Sequence, residues 1–411
     1  MKQMHPGKVL IIEENSWVPP DRRVWSIATT LRDAGWQVSV ICPTPKRTHA
    51  GADSLGVADL NRVENLEGIT VYRFPLTFAE RGILDYLLEY IVAFVSITRL
   101  SWRVWRTDHF DILHICNPPD IFFPLGLFYR LLGVHFVFDH HDLFTESVAW
   151  RFKGISKAIL YYASRIAEFL TYRSANVVIA TNETYRRIAI NRGSLSPSQV
   201  VIVRNGPKIS QFTPTTPDPT LKYGFKYMVC YVGVMADEDG VLEMADIIRH
   251  VVIDLRRVNI LFVLLRDGAS RKEVIKRIRK SGLDPYVAMP GMIRDDLLLR
   301  RYMSTADVFV SPEPFTPMNS CSTFMKIAEY MIMAKPIIAF DLPETRFTAQ
   351  ESAVYVPPGD FAAFGKTIVE LLDDPYRRSQ MGAIGHERIV NELGWEHQCQ
   401  NLFRAYAVAQ M

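Results

Sequence analysis

Short apolar runs alternate with amphipathic stretches along almost the whole chain, a pattern that predicts parallel β-α-β units. In the first half the strand candidates are KVLII, WQVSVICP, DILHIC, VHFVFDHHD, ANVVIATN and VVIVRNG. The first helix, VWSIATTLRDAG, ends at Gly35, a residue suited to a helix C-terminus. This half therefore predicts a doubly wound sheet.

A second series of the same kind follows the segment 207–226, whose many prolines predict a linker. Its strand candidates are YMVCYVGV, ILFVLLRDG, VFVSP, PIIAFD and AVYVPP. We predict an α/β protein of two Rossmann-like, doubly wound domains that face each other across a cleft. The N-terminal domain spans 1–206 and the C-terminal domain 207–394. Ligands of such sheets bind beyond the carboxyl ends of the strands, so the loops that follow strands should carry the functional residues.

Composition and charge place the chain among ordinary globular proteins. Its 411 residues are 48% hydrophobic and 22% charged, with a net charge of +3. The small basic excess falls in the first half, and it fits a polyanionic ligand or an anionic membrane better than nucleic-acid binding, for which we find no signature. The five cysteines form no CxxC pair, and the N-terminal apolar run is too short for a signal peptide. Both observations favour reduced thiols in a cytosolic protein.

The most apolar helical stretch is 83–106. Its uncharged run, between Glu89 and Arg99, is far shorter than the roughly 20 residues of a membrane span. Three arginines beside Trp102 and Trp105 suit a helix that lies in the headgroup region of a membrane. A core helix with an exposed basic edge explains the pattern equally well. A peripheral membrane contact is therefore one of two interpretations.

Residues 140–142, HHD, end a strand and so lie where this fold places reactive groups. His141 could bond a substrate hydroxyl or act as an acid or base, with Asp142 and Glu146 setting its orientation. A histidine that caps the following loop is the plainer alternative.

Two other patterns are weaker signs of a metal site. The segment 237–239, DED, matches the Asp-x-Asp of metal-dependent sugar transferases, but acids commonly begin helices and we interpret it as an N-cap. His114 and Cys116 share one face of a strand, yet no further ligands follow at a useful spacing, so we interpret them as core. We expect no metal.

The segment NSCSTFMKIAEY predicts an anion site. Ser322 and Thr323 suit the N-cap of a helix whose first backbone N–H groups are free to bind phosphate. Lys326 stands where the helix dipole disfavours a cation, so a bound anion would compensate it. Glu329 shares the face of Lys326, and its carboxylate could accept hydrogen bonds from a ribose diol. These features describe a nucleotide diphosphate site, and a surface Lys–Glu pair is the alternative.

The segment PEPFTPMNSCSTFMKIAEYMIMAKPIIAFDLPETR resembles the nucleotide-binding region of family 4 retaining glycosyltransferases of the two-domain GT-B fold. Other segments resemble the family in matching order, among them FVFDHHDLFTES, VVIVRNGP and YVGVM. The resemblance implies transfer of a sugar from a nucleoside diphosphate sugar to a glycan or lipid-linked acceptor, with retention of the anomeric configuration. It implies no tightly bound cofactor, no essential metal, and a cytoplasmic protein that is free or peripheral at the inner face of the membrane. Polysaccharide or cell-surface glycan biosynthesis is the expected setting.

By the same resemblance, each matched residue has an expected role. Glu329 holds the donor ribose, and Ser322, Thr323 and Lys326 surround the diphosphate. The remaining matches are Gly233 and Gly268 in donor loops, His141 near the donor sugar, Arg22, Arg23 and Asp142 on the acceptor side, and Asn205 and Gly206 in the interdomain turn. The leaving diphosphate deprotonates the acceptor, so no protein nucleophile is required. The helix 395–411 is expected to cross back onto the first domain.

The chain also departs from the family pattern. Val234 replaces an arginine that grips the diphosphate, and no lysine follows it. Cys321 stands where the family's earlier glutamate falls, and Arg266 stands where a small residue is usual. We expect Lys326, Arg266 and Arg346 to supply the lost positive charge. These departures leave two alternatives open: a non-catalytic GT-B protein that binds a sugar nucleotide or a partner, and a sugar-nucleotide epimerase of the same fold.

Overall fold

The computed structural model describes residues 6–44, 62–75, 83–151 and 154–411. The chain divides into two compact units, one made of Met1–Arg204 with Cys399–Met411 and the other of Asn205–Gln398. Each unit contains one sheet covered by helices. Among the described helices, none is both long and apolar enough to cross a membrane.

The first unit is built on an eight-stranded sheet. Its strands are β1 (Lys8–Ile12), β2 (Gln37–Pro43), β3 (Val63–Leu66), β4 (Ile69–Phe74), β5 (Ile112–Cys116), β6 (His135–His140), β7 (Val177–Ala180) and β8 (Val200–Ile202). They follow the order β3-β4-β2-β1-β5-β6-β7-β8, and only the pair β3–β4 is antiparallel. The central strands are buried on both faces, which explains why they read as continuous apolar runs.

Within the described residues, six helices connect these strands. They are α1 (Arg22–Asp33), α2 (Ile83–Thr107), α3 (Phe123–Leu131), α4 (Phe144–Arg151), α5 (Gly154–Ser174) and α6 (Glu183–Gly193). The connections through α2, through α3 and through α4–α5 all run in the same direction along the sheet. Because β-α-β crossovers are right-handed, α2, α3 and α5 lie in one layer on the same face.

The second unit has a six-stranded parallel sheet. Its strands are β9 (Tyr227–Val232), β10 (Ile260–Leu265), β11 (Val287–Gly291), β12 (Val308–Ser311), β13 (Ile337–Phe340) and β14 (Ala353–Val356). Its helices are α7 (Val241–Arg249), α8 (Arg271–Lys280), α9 (Asp296–Thr305), α10 (Met325–Ile332), α11 (Pro343–Ala349), α12 (Phe361–Asp373) and α13 (Pro375–Arg388). The order β11-β10-β9-β12-β13-β14 reverses direction between β9 and β12, the position at which doubly wound sheets bind ligands.

The last helix, α14 (Trp395–Ala409), contributes its C-terminal part to the first unit. The hydroxyl of Tyr406 lies 2.8 Å from Nδ1 of His114 on β5. The ring of Tyr406 also meets the ring of Trp36 edge-on, with centroids 5.5 Å apart. Residues distant in sequence therefore complete the core of the first unit.

The prediction of a linker at 207–226 is wrong. The backbone N–H of Thr215 donates to the hydroxyl of Ser304, and Phe212, Leu221 and Phe225 pack against the core of the second unit. The prolines restrict the backbone of this segment, but its apolar side chains fix it to the second sheet.

The two-sheet α/β fold class is confirmed, but the sequence pattern missed three strands, β3, β4 and β11. In β4 buried positions alternate with half-buried ones, so it lacks a continuous apolar run. β3 is polar and largely exposed, so it carries no apolar run. β11, at an edge of its sheet, is only partly buried and contains Pro290 and Gly291.

Candidate functional site

A buried cluster of charged and hydroxyl groups lies at the carboxyl ends of β9 and β12, which are neighbours in the second sheet. The Nζ atom of Lys326, whose side chain is 9% exposed, lies 2.5 Å from Oε1 of Glu313 and 3.2 Å from Oδ1 of Asp239. It also donates to the hydroxyl of Tyr231 at 3.2 Å. Glu313 is 1% exposed and accepts a hydrogen bond from the hydroxyl of Ser311. We call these five residues the Lys326 cluster.

The charges of the Lys326 cluster depend on each other. Burial alone would lower the pKa of Lys326, because it disfavours the ammonium form. The nearby acidic groups, Glu313 most of all, have the larger combined effect and raise this pKa well above its ordinary value. Burial raises the pKa of Asp239, an effect that Lys326 opposes. The lysine is therefore a charged group whose counterions are protein carboxylates.

The predicted helix start at Ser322 and Thr323 is wrong. α10 begins at Met325, and its N-cap residue, Phe324, makes no side-chain cap. The hydroxyl of Ser322 donates backwards to the carbonyl of Met318 at 2.9 Å, because residues 316–322 form a series of turns.

The reason proposed for the position of Lys326 is also corrected. We expected a bound anion to compensate its charge, but Glu313 and Asp239 already do so. The local sequence hid this pairing because Glu313 lies 13 and Asp239 87 residues before the lysine.

The interpretation of 237–239 as a helix cap is wrong as well. α7 begins after Gly240, and no side chain caps it. Asp237 accepts a hydrogen bond from the hydroxyl of Ser270 at 2.5 Å, while Asp239 belongs to the Lys326 cluster. Gly240 has a φ of +71°, and a Cβ there would lie 1.9 Å from the carbonyl oxygen of Pro312, so only glycine fits.

Arg266 and Glu329 approach each other beside this cluster. A terminal guanidinium nitrogen of Arg266 lies 3.8 Å from Oε2 of Glu329, which is 4% exposed. Arg266 has a φ of +85°, a conformation that suits the small residue expected at this position. This backbone conformation, together with the contact to Glu329, motivates the hypothesis that the side chain of Arg266 has a role.

Two glycines allow close approach in the same loops. A Cβ at Gly233 would lie 2.6 Å from the hydroxyl of Tyr231 and 3.0 Å from Nζ of Lys326. A Cβ at Gly268 would lie 2.4 Å from the carbonyl oxygen of Met235. Arg346, in contrast, forms a bidentate ion pair with Asp341 at 2.6 and 2.8 Å, so its charge is already matched.

In the first unit, Arg23, which the resemblance places on the acceptor side, is buried and held by partners within the protein. Its side chain is 4% exposed, and it donates from Nε and a terminal nitrogen to Asp139 at 2.8 and 2.6 Å. A third donor bonds the carbonyl of Val203 at 3.0 Å. The guanidinium is thus a buried structural group that holds the end of β6. Arg22, the first residue of α1, is half-buried, and its acceptor-side role stays a prediction.

His114 and Cys116, expected to be core residues, are both fully buried. Together with Asp139 they offer atoms within 4.8 Å of one another, a spacing that could hold a metal ion. The guanidinium of Arg23 already occupies both oxygens of Asp139 and would repel a cation. These residues do not fit a metal centre.

The loop after β6 is held by Asn117, which sequence reasoning missed. Its side-chain oxygen accepts the backbone N–H groups of His141 and Asp142 at 2.8 and 3.0 Å, and its amide donates to the carbonyl of Asp142 at 2.7 Å. Glu146, expected to orient His141, forms an ion pair with Arg192 at 2.5 Å instead. Asn117 therefore fixes the backbone at His141.

Glu14, in the turn after β1, supplies a pH-dependent contribution to stability. It is 3% exposed, Oε1 has no hydrogen-bond partner, and burial, with a smaller contribution from Glu89, raises its pKa to about 8. Below the ordinary glutamate pKa both states are protonated. Between there and pH 8 only the unfolded chain ionises, so stability falls as pH rises. We expect Glu14→Gln to gain a few kcal/mol at pH 8 over the native protein, and little at pH 5.

Urea unfolding at pH 5, 6.5 and 8 measures this effect. Glu351→Gln, at an exposed position, is the matched control and should leave the pH dependence unchanged. A Glu14→Gln variant whose stability falls with pH as steeply as that of the native protein would contradict the assignment.

Comparison with known proteins places these units in a family. Residues 20–206 match the model of the glycosyl transferase 4-like domain, and residues 226–374 match that of glycosyl transferases group 1. The chain is 21% identical over 335 residues to the chitobiosyldiphosphodolichol beta-mannosyltransferase of Candida glabrata, covering 75% of this chain and 73% of that protein. The chain belongs to the family 4 glycosyltransferases of the GT-B fold.

Solved structures agree on the fold of this glycosyltransferase. Sucrose-phosphate synthase from Thermosynechococcus elongatus has a TM-score of 0.76 at 19% identity, with 98% of each chain covered. The Anabaena protein HepE in complex with UDP-glucose has a TM-score of 0.68 at 15% identity, with 98% of this chain and 99% of that chain covered.

In this glycosyltransferase the sequence analysis identified the loops that carry the candidate donor site, but it did not identify the residues that contact Lys326. Lys326, Glu329, Arg266, Gly233 and Gly268 all lie after strands of the second sheet or in the helix that follows. Glu313, Asp239 and Tyr231 were not expected to surround Lys326. The sequence signal that could have found Glu313 is an acidic residue two positions after the apolar strand β12, whereas Tyr231 lies within β9 and Asp239 in the loop after it.

Proposed function

We propose that this glycosyltransferase takes a sugar from a nucleoside diphosphate sugar and transfers it to a glycan or lipid-linked acceptor with retention of the anomeric configuration. The observation that carries the donor assignment is the pairing of buried Glu329 with Arg266 at the reversal of strand order in the second sheet. The complex of HepE with UDP-glucose and the dolichol-linked substrate named for the Candida relative support the two substrate classes.

Three sets of groups in the second unit would bind the donor. Glu329 accepts hydrogen bonds from the ribose diol, while Arg266 and the backbone N–H groups at the start of α10 stabilise the diphosphate. Ser322 and Thr323 lie just before that helix and would add hydroxyl groups. Lys326 would support the donor site without binding the diphosphate itself, since its charge is matched by Glu313 and Asp239.

Transfer with retention needs few groups from the protein. The bond between the sugar and the diphosphate breaks, and the acceptor oxygen bonds the anomeric carbon on the same face. The leaving diphosphate oxygen takes the acceptor proton, so neither a protein nucleophile nor a metal is required. Arg266 would stabilise the charge that develops on the diphosphate. We assign to His141 polar contacts to the transferred sugar, and to Arg22 and Asp142 contacts on the acceptor side.

The remaining assignments complete the proposal. Asn205 and Gly206 would form the turn between the two domains, and a Cβ at Gly206 would lie 2.1 Å from the carbonyl oxygen of Leu393. We propose that the protein works in the cytoplasm or as a peripheral protein at the inner face of the membrane, with contact through 83–106. Polysaccharide or cell-surface glycan synthesis is the corresponding process.

Arg266→Gly tests the donor site without the risk of unfolding. Glycine relieves the left-handed backbone, so the variant should be more stable by about 1 kcal/mol. Loss of the guanidinium should raise the KM for the donor about tenfold or more. Donor binding by thermal shift and steady-state kinetics with a panel of nucleotide sugars measure both effects.

Arg256→Gly is the matched control, since Arg256 is an exposed arginine with a φ of +51° that precedes the amino end of β10, whereas Arg266 follows its carboxyl end. It should gain similar stability and leave KM unchanged. Glu329→Gln should also weaken donor binding. An unchanged KM in both site variants would contradict the donor site.

The nature of the reaction is tested with the same preparation. The anomeric configuration of the product, read by NMR, distinguishes retention from inversion, and activity in EDTA tests metal independence. Donor binding without turnover would favour the non-catalytic alternative. A changed donor sugar formed without acceptor would favour an epimerase.

A further inference from the structure

The helical layer on one face of the first sheet exposes apolar side chains where charged groups normally lie. α2, α3 and α5 share this layer, and we call their exposed side chains the three-helix face. Six large apolar residues on it are between 59% and 87% exposed: Leu88, Ile91, Leu131, Ile159, Tyr162 and Ile166. A helix at the surface of a soluble domain usually turns such residues inward.

The face is continuous. The rings of Trp102 on α2 and Phe128 on α3 lie 5.9 Å apart, and the guanidinium of Arg130 on α3 donates to the carbonyl of Ser174, the last residue of α5, at 2.6 Å. An apolar groove of about 270 Å³ opens between α2 and α3, lined in part by Phe94 and Leu125. Patches of this kind mark interaction surfaces.

The charges on the three-helix face have one sign. Its exposed charged residues are Arg99, Arg103, Arg106, Arg130, Lys157 and Arg173. Among the described side chains of α2, α3 and α5, no exposed residue is acidic. A protein partner would need a complementary acidic surface around an apolar centre, whereas an anionic bilayer offers phosphate groups above hydrocarbon across its whole area.

We propose that the three-helix face inserts into the headgroup region of an anionic membrane, with α3 and α5 taking part as fully as α2. This rests on the peripheral contact in the proposed function and extends it from the single helix 83–106 to three helices. On α5 the apolar positions 159, 162, 166, 169 and 170 follow the helical repeat, with Lys157 and Arg173 at the ends to meet lipid phosphates. The apolar side chains supply hydrophobic burial and the basic ones electrostatic attraction.

Vesicle flotation of the full chain tests the proposal. The probes are vesicles of phosphatidylcholine alone and with 30 mol% phosphatidylglycerol, each at low salt and at high salt. We expect binding to the anionic vesicles at low salt and weaker binding at high salt, because salt screens exposed charges. Leu131→Glu combined with Ile166→Glu, which leaves α2 intact, should lower the bound fraction about tenfold or more. The control is Val258→Glu combined with Tyr376→Glu, at exposed apolar positions of the second unit, and it should bind normally.

Three outcomes would overturn the proposal. If Leu88→Glu with Ile91→Glu abolishes binding while the α3–α5 pair has no effect, the contact is confined to α2. If the native protein binds no vesicles and sedimentation shows a dimer that Ile166→Glu dissociates, the face contacts a second copy. If the native protein binds no vesicles and does not dimerise, the three-helix face is not a membrane contact and the proposal is wrong. Transfer to a soluble acceptor, measured separately, shows whether the proposed function survives each result.

Discussion

Replacing Lys326 with alanine should destabilise the protein by about 3–5 kcal/mol, because the change leaves Glu313 buried without its cation. Asp239 loses the same partner, so two carboxylates would then lie in a water-poor site. Urea unfolding and thermal melts followed by circular dichroism measure the loss. The unfolding midpoint of the native protein is the reference.

Two further variants separate charge from size. Lys326→Met with Glu313→Gln removes both members of the closest pair and should recover much of the stability lost in Lys326→Met alone. Lys335→Ala is the control, since Lys335 is a half-buried lysine just after α10 whose pKa is lowered by burial. A Lys326→Ala protein as stable as the control would refute the structural role of the cluster.

This prediction changes how the activity of Lys326 variants should be judged. Loss of turnover in Lys326→Ala does not identify a diphosphate contact, because local unfolding has the same effect. Kinetics on Lys326→Met with Glu313→Gln, at a temperature where it is folded, can separate the two. A change in kcat at constant donor KM would argue for positioning rather than for binding.

Arg23→Ala should cost a similar amount, about 3–5 kcal/mol, because it leaves Asp139 fully buried and unpaired. The guanidinium beside it holds the pKa of that carboxyl far below its usual range, although burial alone would raise it. The paired carboxylate contributes stability that is present at neutral pH and lost only in strong acid. Chemical unfolding at neutral pH measures the cost.

Arg23→Lys should keep only part of the stability, since an ammonium group cannot reproduce two parallel hydrogen bonds and the third bond to Val203. Arg346→Ala is the matched control, because Arg346 makes the same bidentate geometry with Asp341 on the surface. It should cost no more than about 1 kcal/mol. Equal losses in Arg23→Ala and Arg346→Ala would contradict the argument from burial.

The sequence predicted the fold well because buried parallel strands leave an apolar signature that needs no knowledge of their neighbours. It failed where the deciding contact is distant. The acceptor-side position of Arg23 comes from the resemblance alone, and nothing near it in sequence reveals its buried partner, Asp139, which is 116 residues away. The anion expected at Lys326 is supplied by Glu313 and Asp239, which only the adjacent ends of β9 and β12 bring together.

Arg266 illustrates the opposite case, in which a departure from the family pattern was itself informative. The resemblance marked the position as one for a small residue, and the positive φ explains that preference in physical terms. The contact with Glu329, 63 residues later in sequence, could not be read from the chain, yet the mismatch of residue type and position pointed to the site.

The division of the chain also bears on how the protein folds during synthesis. Residues 399–411 belong to the unit that contains residues 1–204, and Tyr406 fills a space between Trp36 and His114. Most of this unit therefore emerges from the ribosome long before residues 399–411, which complete it, have been translated. An apolar surface around Trp36 would remain uncovered while the second unit is translated, and chaperones that bind nascent chains would find their target there.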